Sequence, residues 1–245
     1  MPTLLAFIPH PDDESYSFGG TLALAARAGW DVHVHCATSG EKGKRHDSGG
    51  TAIEAVRRAR EAELGASCRA IGTAPPVCWR LPDGRLRDQA PPIDRVRAAI
   101  EGLRPALVLT LGADGAYGHP DHTALHRWVA EAWAAVRDAP PLLFPVFPKG
   151  LFLPQWEKCR HMLGEPPNPA ADELGGNRWH YEVPIVSVRE QKLASIGAHR
   201  SQLPGGDPEA LFPPGIVAGL LDVEWFVDAS GRKSPSVATL LASLA

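Results

Sequence analysis

Short apolar runs alternate with longer amphipathic segments along this chain, and that alternation constrains the fold more than any other feature. Strands are predicted for TLLAFI (3–8), DVHVHCAT (31–38) and PALVLTL (105–111). Helices are predicted for 19–30, 51–66 with Gly65 as its C-terminal stop, 92–103 and 121–138. Strand-helix-strand order implies parallel strands joined by right-handed crossovers. The predicted fold class is therefore α/β, an open, mostly parallel sheet with helices on both faces.

The rest of the chain extends this pattern less regularly. Residues 139–170 are rich in proline, which predicts a strand followed by an irregular segment that covers the site. A strand and a helix are expected in 185–202, and a helix and a closing strand in 207–228. The polar, glycine-rich loop 39–50 suits a mobile lid. A length of 245 residues with 44% apolar residues predicts one domain over 1–245.

Charge and composition exclude several classes of partner. A formal net charge of −3 argues against nucleic acid and against anionic membrane surfaces. The four cysteines show no C-x-x-C spacing, which favours reduced thiols over a zinc finger or a redox pair. No basic leader and no apolar run of membrane-spanning length is seen, so a cytoplasmic protein without membrane insertion is expected. The oligomeric state stays open, a homo-oligomer included.

Two clusters of ionisable side chains follow predicted strands, where ligands bind in open α/β sheets. The clusters consist of His10, Asp12, Asp13 and Glu14 after the first strand, and of His119, Asp121 and His122 after a later one. Catalytic zinc takes three nitrogen or oxygen ligands and keeps a position for water. His10, Asp13 and one histidine of the second cluster would supply that set. The alternative is that each cluster only caps a helix.

The same residues carry a resemblance to a known family. HPDDE (10–14) followed by GHPDH (118–122) looks like the motif pair of the PIG-L/LmbE-like zinc-dependent de-N-acetylases. TSGEKG (38–43), LPDG (81–84) and AHRSQ (198–202) resemble further motifs of that family, in the same order. The resemblance implies a Rossmann-like α/β hydrolase that removes an acetyl group, commonly from an N-acetylglucosamine unit. Pro9 departs from the small residue that usually precedes the first motif, and no single arginine of 54–64 aligns with the family's R-x-x-E pattern.

The resemblance also implies a role for each matching residue. One zinc ion per chain is expected on His10, Asp13 and His122. Asp12 is expected to act as general base toward a zinc-activated water, with His119 and Tyr117 near the carbonyl oxygen. The substrate-binding candidates are Glu41, Asp83 and His199.

The expected substrate is a small N-acetylated sugar conjugate, and two other classes of function stay open. One is a sugar- or nucleotide-binding module of the same architecture without catalysis, although no G-x-G-x-x-G follows the first strand to hold a pyrophosphate. The other is a metallo-hydrolase of a different bond; phosphoester sites favour paired metals, whereas these residues supply ligands for one.

Overall fold

Seven strands form one sheet in the computed structural model, which describes residues 1–164 and 167–244. The strands are β1 Thr3–Ile8, β2 Asp31–Thr38, β3 Val77–Leu81, β4 Leu107–Thr110, β5 Leu142–Pro145, β6 Tyr181–Pro184 and β7 Val223–Asp228. Their order across the sheet is β3-β2-β1-β4-β5-β7-β6. β1 to β5 pair in parallel, whereas β7 runs antiparallel to β5 and β6 antiparallel to β7. The sheet is therefore mostly parallel, as predicted.

Helices cover both faces of this sheet. They are α1 Asp13–Arg27, α2 Ile53–Ile71, α3 Ile93–Leu103, α4 Gly115–Gly118, α5 Pro120–Ala134, α6 Leu153–Cys159, α7 Arg189–Ala198 and α8 Pro235–Ala242. Alternate β1 residues point to opposite faces. Leu4 packs in a core cluster with residues of α1 and α2, whereas Leu5 packs in a second cluster with residues of α3 and α5. The strand is buried on both sides, which explains its unbroken apolar sequence.

Helix α1 begins six residues earlier than predicted, directly after the first motif. Two carboxylates, Asp13 and Glu14, occupy its first turn, where they favour helix formation at the positive end of the helix dipole. The helix is broken at Phe18, which has φ −153°. The predicted start at Gly19 coincides with this break, and the buried Glu224 carboxylate accepts the N–H groups of Gly20 and Thr21 that follow it.

The predicted stop at Gly65 is wrong, because α2 continues to Ile71. Cys68 and Ile71 extend the apolar face of the helix into the core, and this burial outweighs the cost of about 1 kcal/mol for an interior glycine. The helix ends at Gly72, whose left-handed conformation (φ 93°) satisfies the usual geometry of a C-terminal cap.

The C-terminal half departs further from the prediction. The strand expected at the start of 185–202 lies earlier, at β6, whereas the helix expected there is present as α7. Short 3-10 turns replace the helix expected in 207–228, where prolines interrupt the backbone, but the closing strand is present as β7. The proline-rich stretch 139–170 contains β5 and also the helix α6. Pro154 lies in the first turn of α6, where its missing N–H group costs no hydrogen bond within the helix. Residues 165 and 166 of that stretch lie outside the described residues. Within residues 1–164 and 167–244, no helix has the length and apolarity of a membrane span.

Candidate metal centre and catalytic site

The two clusters of ionisable residues meet because β1 and β4 are neighbours in the sheet. Phe7 in β1 lies opposite Thr110 in β4, so residues 9–14 and 111–122 leave the same edge side by side. From β1 the sheet extends through β2 in one direction and through β4 in the other, and a crevice forms beyond such a switch point.

Two imidazoles and one carboxylate converge in this crevice. Asp13 Oδ2 lies 3.2 Å from His10 Nδ1, and Asp13 Oδ1 lies 3.4 Å from His122 Nε2. Neighbouring ligand atoms of a tetrahedral zinc site are about 3.3 Å apart when each lies about 2.0 Å from the metal. All three side chains are buried, His122 completely. Asp13 thus approaches each histidine at about the spacing of neighbouring zinc ligands, through a different oxygen in each case.

The protonation of His122 also suits a ligand. Its Nδ1 lies 3.0 Å from the carbonyl oxygen of Gly115, so the proton of the neutral ring belongs on Nδ1. Its Nε2 is buried without a hydrogen-bond partner among the described residues. Burial lowers the pKa of His122 to about 4, which keeps the ring neutral, as metal binding requires.

Other combinations of ligands centre on the same place. Ligand atoms of His10, His119 and His122 lie within 4.8 Å of one another, and so do those of His10, Asp83 and Asp121. His119 Nδ1 accepts the Asp121 N–H at 3.2 Å, so that nitrogen serves the start of α5. Both groups contain His10 and neither contains Asp13, so the structure gathers candidate metal ligands around His10.

His10 is oriented by carboxylates on the side away from Asp13. Its Nε2 lies 3.2 Å from Asp83 Oδ1 and 3.3 Å from Asp121 Oδ2. Asp121 is itself held by the N–H groups of Gly84 and Leu86, which ties α5 to the turn after β3. Burial lowers the pKa of His10, but its hydrogen bonds to Asp121, Asp13 and Asp83 together raise it well above the ordinary value. A histidine whose second nitrogen contacts a carboxylate is the usual arrangement of a metal ligand.

Asp12 has a backbone conformation that few non-glycine residues adopt, with φ 122°. Glu14 Oε2 accepts its N–H at 3.1 Å, and Arg60 donates to its Oδ2 at 2.9 Å. The adjacent carboxylates of Asp12 and Asp13 have different partners, and the unusual backbone of Asp12 is the kind of strain that is found at functional sites. Burial raises the pKa of Asp12 to about 6, although Arg60 opposes the shift.

Glu14 belongs to a buried network behind Asp12. Its Oε1 accepts hydrogen bonds from the Ser67 hydroxyl and from His199 Nε2, the latter at 2.8 Å. His199 is completely buried, and it is not among the residues that line the cavity described below. This placement does not favour the predicted contact between His199 and substrate.

His119 and Tyr117 lie close to His10. The His119 ring is 4.8 Å from the His10 ring and 6.0 Å from the Tyr117 ring. Because His119 Nδ1 accepts a backbone N–H, the proton of the neutral ring is on Nε2. Burial lowers the pKa of His119 well below its ordinary value and keeps the ring neutral. His119 is thus a neutral hydrogen-bond donor.

A cavity of about 190 Å³ opens beside Asp12. Its lining comprises Asp12, Tyr16, Lys44, His46, Tyr117, Gln155, Gln202, Leu211 and Phe212. Lys44 and His46 come from the loop 39–50 and Gln202 from the AHRSQ motif, so motifs far apart in sequence contribute to one cavity.

Glu41 and Asp83 differ in how far their side chains are already bonded. Asp83 Oδ1 contacts His10, and Asp83 Oδ2 accepts the Lys42 N–H at 2.8 Å. Glu41 Oε1 accepts the Asp83 N–H, but Glu41 Oε2 is buried without a hydrogen-bond partner among the described residues. Glu41 therefore retains an oxygen that can accept a ligand hydroxyl.

Sequence reasoning missed two residues of the site. Arg60 contacts Asp12 from α2, and Tyr16 donates its hydroxyl to Asp13. Tyr16 follows Asp13 by three residues, and this spacing places both on one face of a helix that begins at Asp13. The available signal for Arg60 was its R-x-x-E spacing with Glu63, which several arginines in the helix obscured.

Comparison with known proteins agrees with the site. The PIG-L family profile, described as GlcNAc-PI de-N-acetylase, matches residues 5–133, which contain both motifs. A 1D-myo-inositol 2-acetamido-2-deoxy-alpha-D-glucopyranoside deacetylase of Nakamurella multipartita is 33% identical over 82% of this chain and 81% of its own length. A probable N-acetyl-alpha-D-glucosaminyl L-malate deacetylase 2 of Bacillus cereus is 31% identical over 81% of this chain and 83% of its own length.

Solved structures share the fold at lower sequence identity. N,N'-diacetylchitobiose deacetylase of Pyrococcus horikoshii has a TM-score of 0.65 and 23% identity over 94% of this chain and 84% of its own. The 4-carboxy-2-hydroxymuconate hydratase GalB of Pseudomonas putida has a TM-score of 0.70 and 20% identity over 96% of this chain and 98% of its own. Because the second protein is a hydratase, the fold alone does not determine the reaction.

Proposed function

The chain belongs to the PIG-L family of GlcNAc-PI de-N-acetylases, and on that basis we propose that it is a metal-dependent hydrolase that removes the acetyl group from an N-acetylglucosaminyl conjugate. One observation carries the proposal: the carboxylate of Asp12 lines a cavity, and the adjacent Asp13 lies 3.2 to 3.4 Å from nitrogens of His10 and His122. Metal ligands and a separate carboxylate are what amide hydrolysis by an activated water requires.

The proposed metal is one zinc ion held by His10, Asp13 and His122. Two imidazoles and one carboxylate form a common ligand set of catalytic zinc. Zinc bound there would supply Lewis acidity for the attack on the acetamide. Asp83 and Asp121 would orient His10 through its other nitrogen.

Asp12 is the proposed general base. Arg60 occupies its Oδ2, and within the described residues Oδ1 has no hydrogen-bond partner, so Oδ1 is the atom that accepts a proton from the attacking water. Asp12 then returns a proton to the departing amine. A base with a pKa near 6 is largely deprotonated at neutral pH and still a useful acid.

His119 is the proposed donor to the oxyanion, assisted by Tyr117. The neutral His119 ring carries its proton on Nε2 and can donate it as a hydrogen bond when negative charge develops on the carbonyl oxygen. One such donor is typically worth about 3 to 4 kcal/mol of barrier.

The sugar conjugate is proposed to occupy the cavity next to Asp12. Lys44, His46 and Gln202 offer hydrogen-bonding groups to hydroxyls, and Phe212 offers an apolar surface. Glu41 is proposed to bind a sugar hydroxyl through its unpartnered Oε2. Asp83 is proposed to act on substrate indirectly, through His10 and the loop that carries Glu41.

The test is release of free amine from N-acetylglucosaminyl inositol and N-acetylglucosaminyl malate by the zinc-loaded protein. Asp12→Asn should retain zinc and lose at least about 100-fold in turnover, the usual effect of removing a positioned base. Asp13→Asn should lose zinc affinity and regain part of its activity in excess zinc. Binding of the conjugates without release of amine would indicate a sugar-binding module instead.

The two asparagine variants serve as controls for each other. Both remove one negative charge and keep the side-chain volume, in adjacent positions of one motif. If excess zinc restores Asp12→Asn and leaves Asp13→Asn inactive, the two proposed roles are reversed.

A further inference from the structure

Tyr16 places a phenol against the carboxylate at the centre of the metal site. Its hydroxyl donates to Asp13 Oδ1 at 2.7 Å, and its side chain is almost completely buried. Neither the motifs read from the sequence nor the residues given a role above include it among the ligands or the catalytic groups.

The surroundings of the hydroxyl leave it one partner. The Tyr16 ring packs against Phe147, Phe152 and Phe212, with ring centroids 4.9 to 6.2 Å away. A buried phenol in apolar surroundings needs a hydrogen-bond partner. Among the described residues, Asp13 is the only partner that this hydroxyl has.

Asp13 is held from two sides as a result. Its Oδ2 accepts the backbone N–H of His10 at 2.9 Å and lies 3.2 Å from His10 Nδ1. Its Oδ1 accepts the Tyr16 hydroxyl and lies 3.4 Å from His122 Nε2. The His10 N–H and the Tyr16 hydroxyl thus donate to opposite oxygens of the carboxylate, which constrains the rotation of its plane.

We propose that Tyr16 is a positioning residue for the metal: its hydroxyl fixes the orientation of Asp13 and thereby strengthens metal binding at His10, Asp13 and His122. The inference rests on the proposed function, because it takes Asp13 to be a metal ligand. Groups that hydrogen-bond to metal ligands commonly change metal affinity or activity about 10- to 100-fold when they are removed.

Tyr16→Phe removes the hydroxyl and retains the ring, so it is the variant to measure. Zinc affinity is determined by competition with a chromophoric chelator, and the melting temperature of the metal-free protein is recorded alongside. We expect Tyr16→Phe to bind zinc about 10-fold more weakly. Its lost turnover should return in excess zinc, a rescue that a purely structural defect would not show.

Tyr181→Phe is the matched control. Tyr181 is also a buried tyrosine whose hydroxyl contacts a carboxylate, Asp228 Oδ2 at 3.2 Å, but it lies in β6 at the edge of the sheet. Its zinc affinity should equal that of the wild type. Tyr16→Leu lacks both ring and hydroxyl and is measured alongside. The inference requires weaker zinc binding by the folded fraction of both Tyr16→Phe and Tyr16→Leu.

The outcomes distinguish this inference from the proposed function. A wild-type protein that binds no zinc contradicts the proposed function, and this inference with it. A wild-type protein that binds zinc with the same affinity as Tyr16→Phe overturns the inference alone. Loss of affinity in Tyr16→Leu but not in Tyr16→Phe assigns the effect to packing of the ring and also overturns it.

Discussion

Replacing Arg60 by methionine should destabilise the metal-free protein even without substrate. The guanidinium is buried and donates to the carbonyl oxygens of Pro11 and Gly40 and to Asp12 Oδ2. Removing one partner of a buried ion pair typically costs about 3 to 5 kcal/mol. Because the Asp12 side chain is 17% exposed and partly solvated, we expect a cost at the lower end of that range, about 3 kcal/mol. An entropy of unfolding of about 0.5 kcal/mol/K for this length converts this to a decrease in melting temperature of about 6 °C.

The assay is thermal unfolding of the chelator-treated protein, followed by circular dichroism. Arg57→Met is the control from the same helix, because the Arg57 side chain is 30% exposed and its ion pairs with Glu54 and Glu41 lie nearer the surface. Such pairs contribute about 1 kcal/mol or less, so its melting temperature should change little. If Arg60→Met melts like the wild type and only its KM rises, Arg60 is a substrate-binding group, and the reasoning that it supports the turn at Asp12 is refuted.

Three further predictions concern packing, pH and the metal. Gly20→Ala should lower the melting temperature by about 2 to 6 °C, because an added Cβ would lie 2.6 Å from Ile185 and overpacking costs about 1 to 3 kcal/mol. Gly102→Ala in α3, where an added Cβ meets no atom within 4 Å, should not lower it. Equal melting temperatures of the two variants would contradict the packing argument. Burial lowers the pKa of His35 to about 4, so folded His35 binds a proton less readily than it does in the unfolded chain. Below about pH 6.5 the unfolded chain is protonated first, and the free energy of unfolding therefore falls as pH drops toward 4. Urea unfolding should therefore show that His35→Gln loses less free energy of unfolding than the wild type between pH 6.5 and 4, by up to about 2 kcal/mol after allowance for partial exposure. The same loss in both proteins would assign it to other groups. Chelation should abolish amine release and lower the melting temperature by about 5 °C, if free zinc had been near 100-fold above its dissociation constant; full activity in the chelated protein would exclude metal dependence.

The sequence alone was informative wherever the physical signal is local. β1 and β2 have the predicted bounds, because β1 lies between Pro2 and Pro9, and β2 follows the turn at Gly29 and ends before Ser39 and Gly40. Both motifs are predicted at the same edge of the sheet, because parallel strands place their carboxyl ends there, but only the structure shows that β1 and β4 are neighbours. Residue chemistry favours His10, Asp13 and one histidine of the second cluster as candidate ligands, and the family resemblance selects His122.

Contacts between distant segments decided the rest. Gly65 carries the local signal of a helix end, but burial of Ile71 against the core extends the helix, and no local pattern contains that burial. The partnership of Arg60 with Asp12 joins residues 48 positions apart, and several arginines of α2 look alike in sequence. Only the tertiary structure selects one of them, because Arg60 donates to the partly desolvated carboxylate of Asp12, whereas Arg57 and Arg58 pair with glutamates.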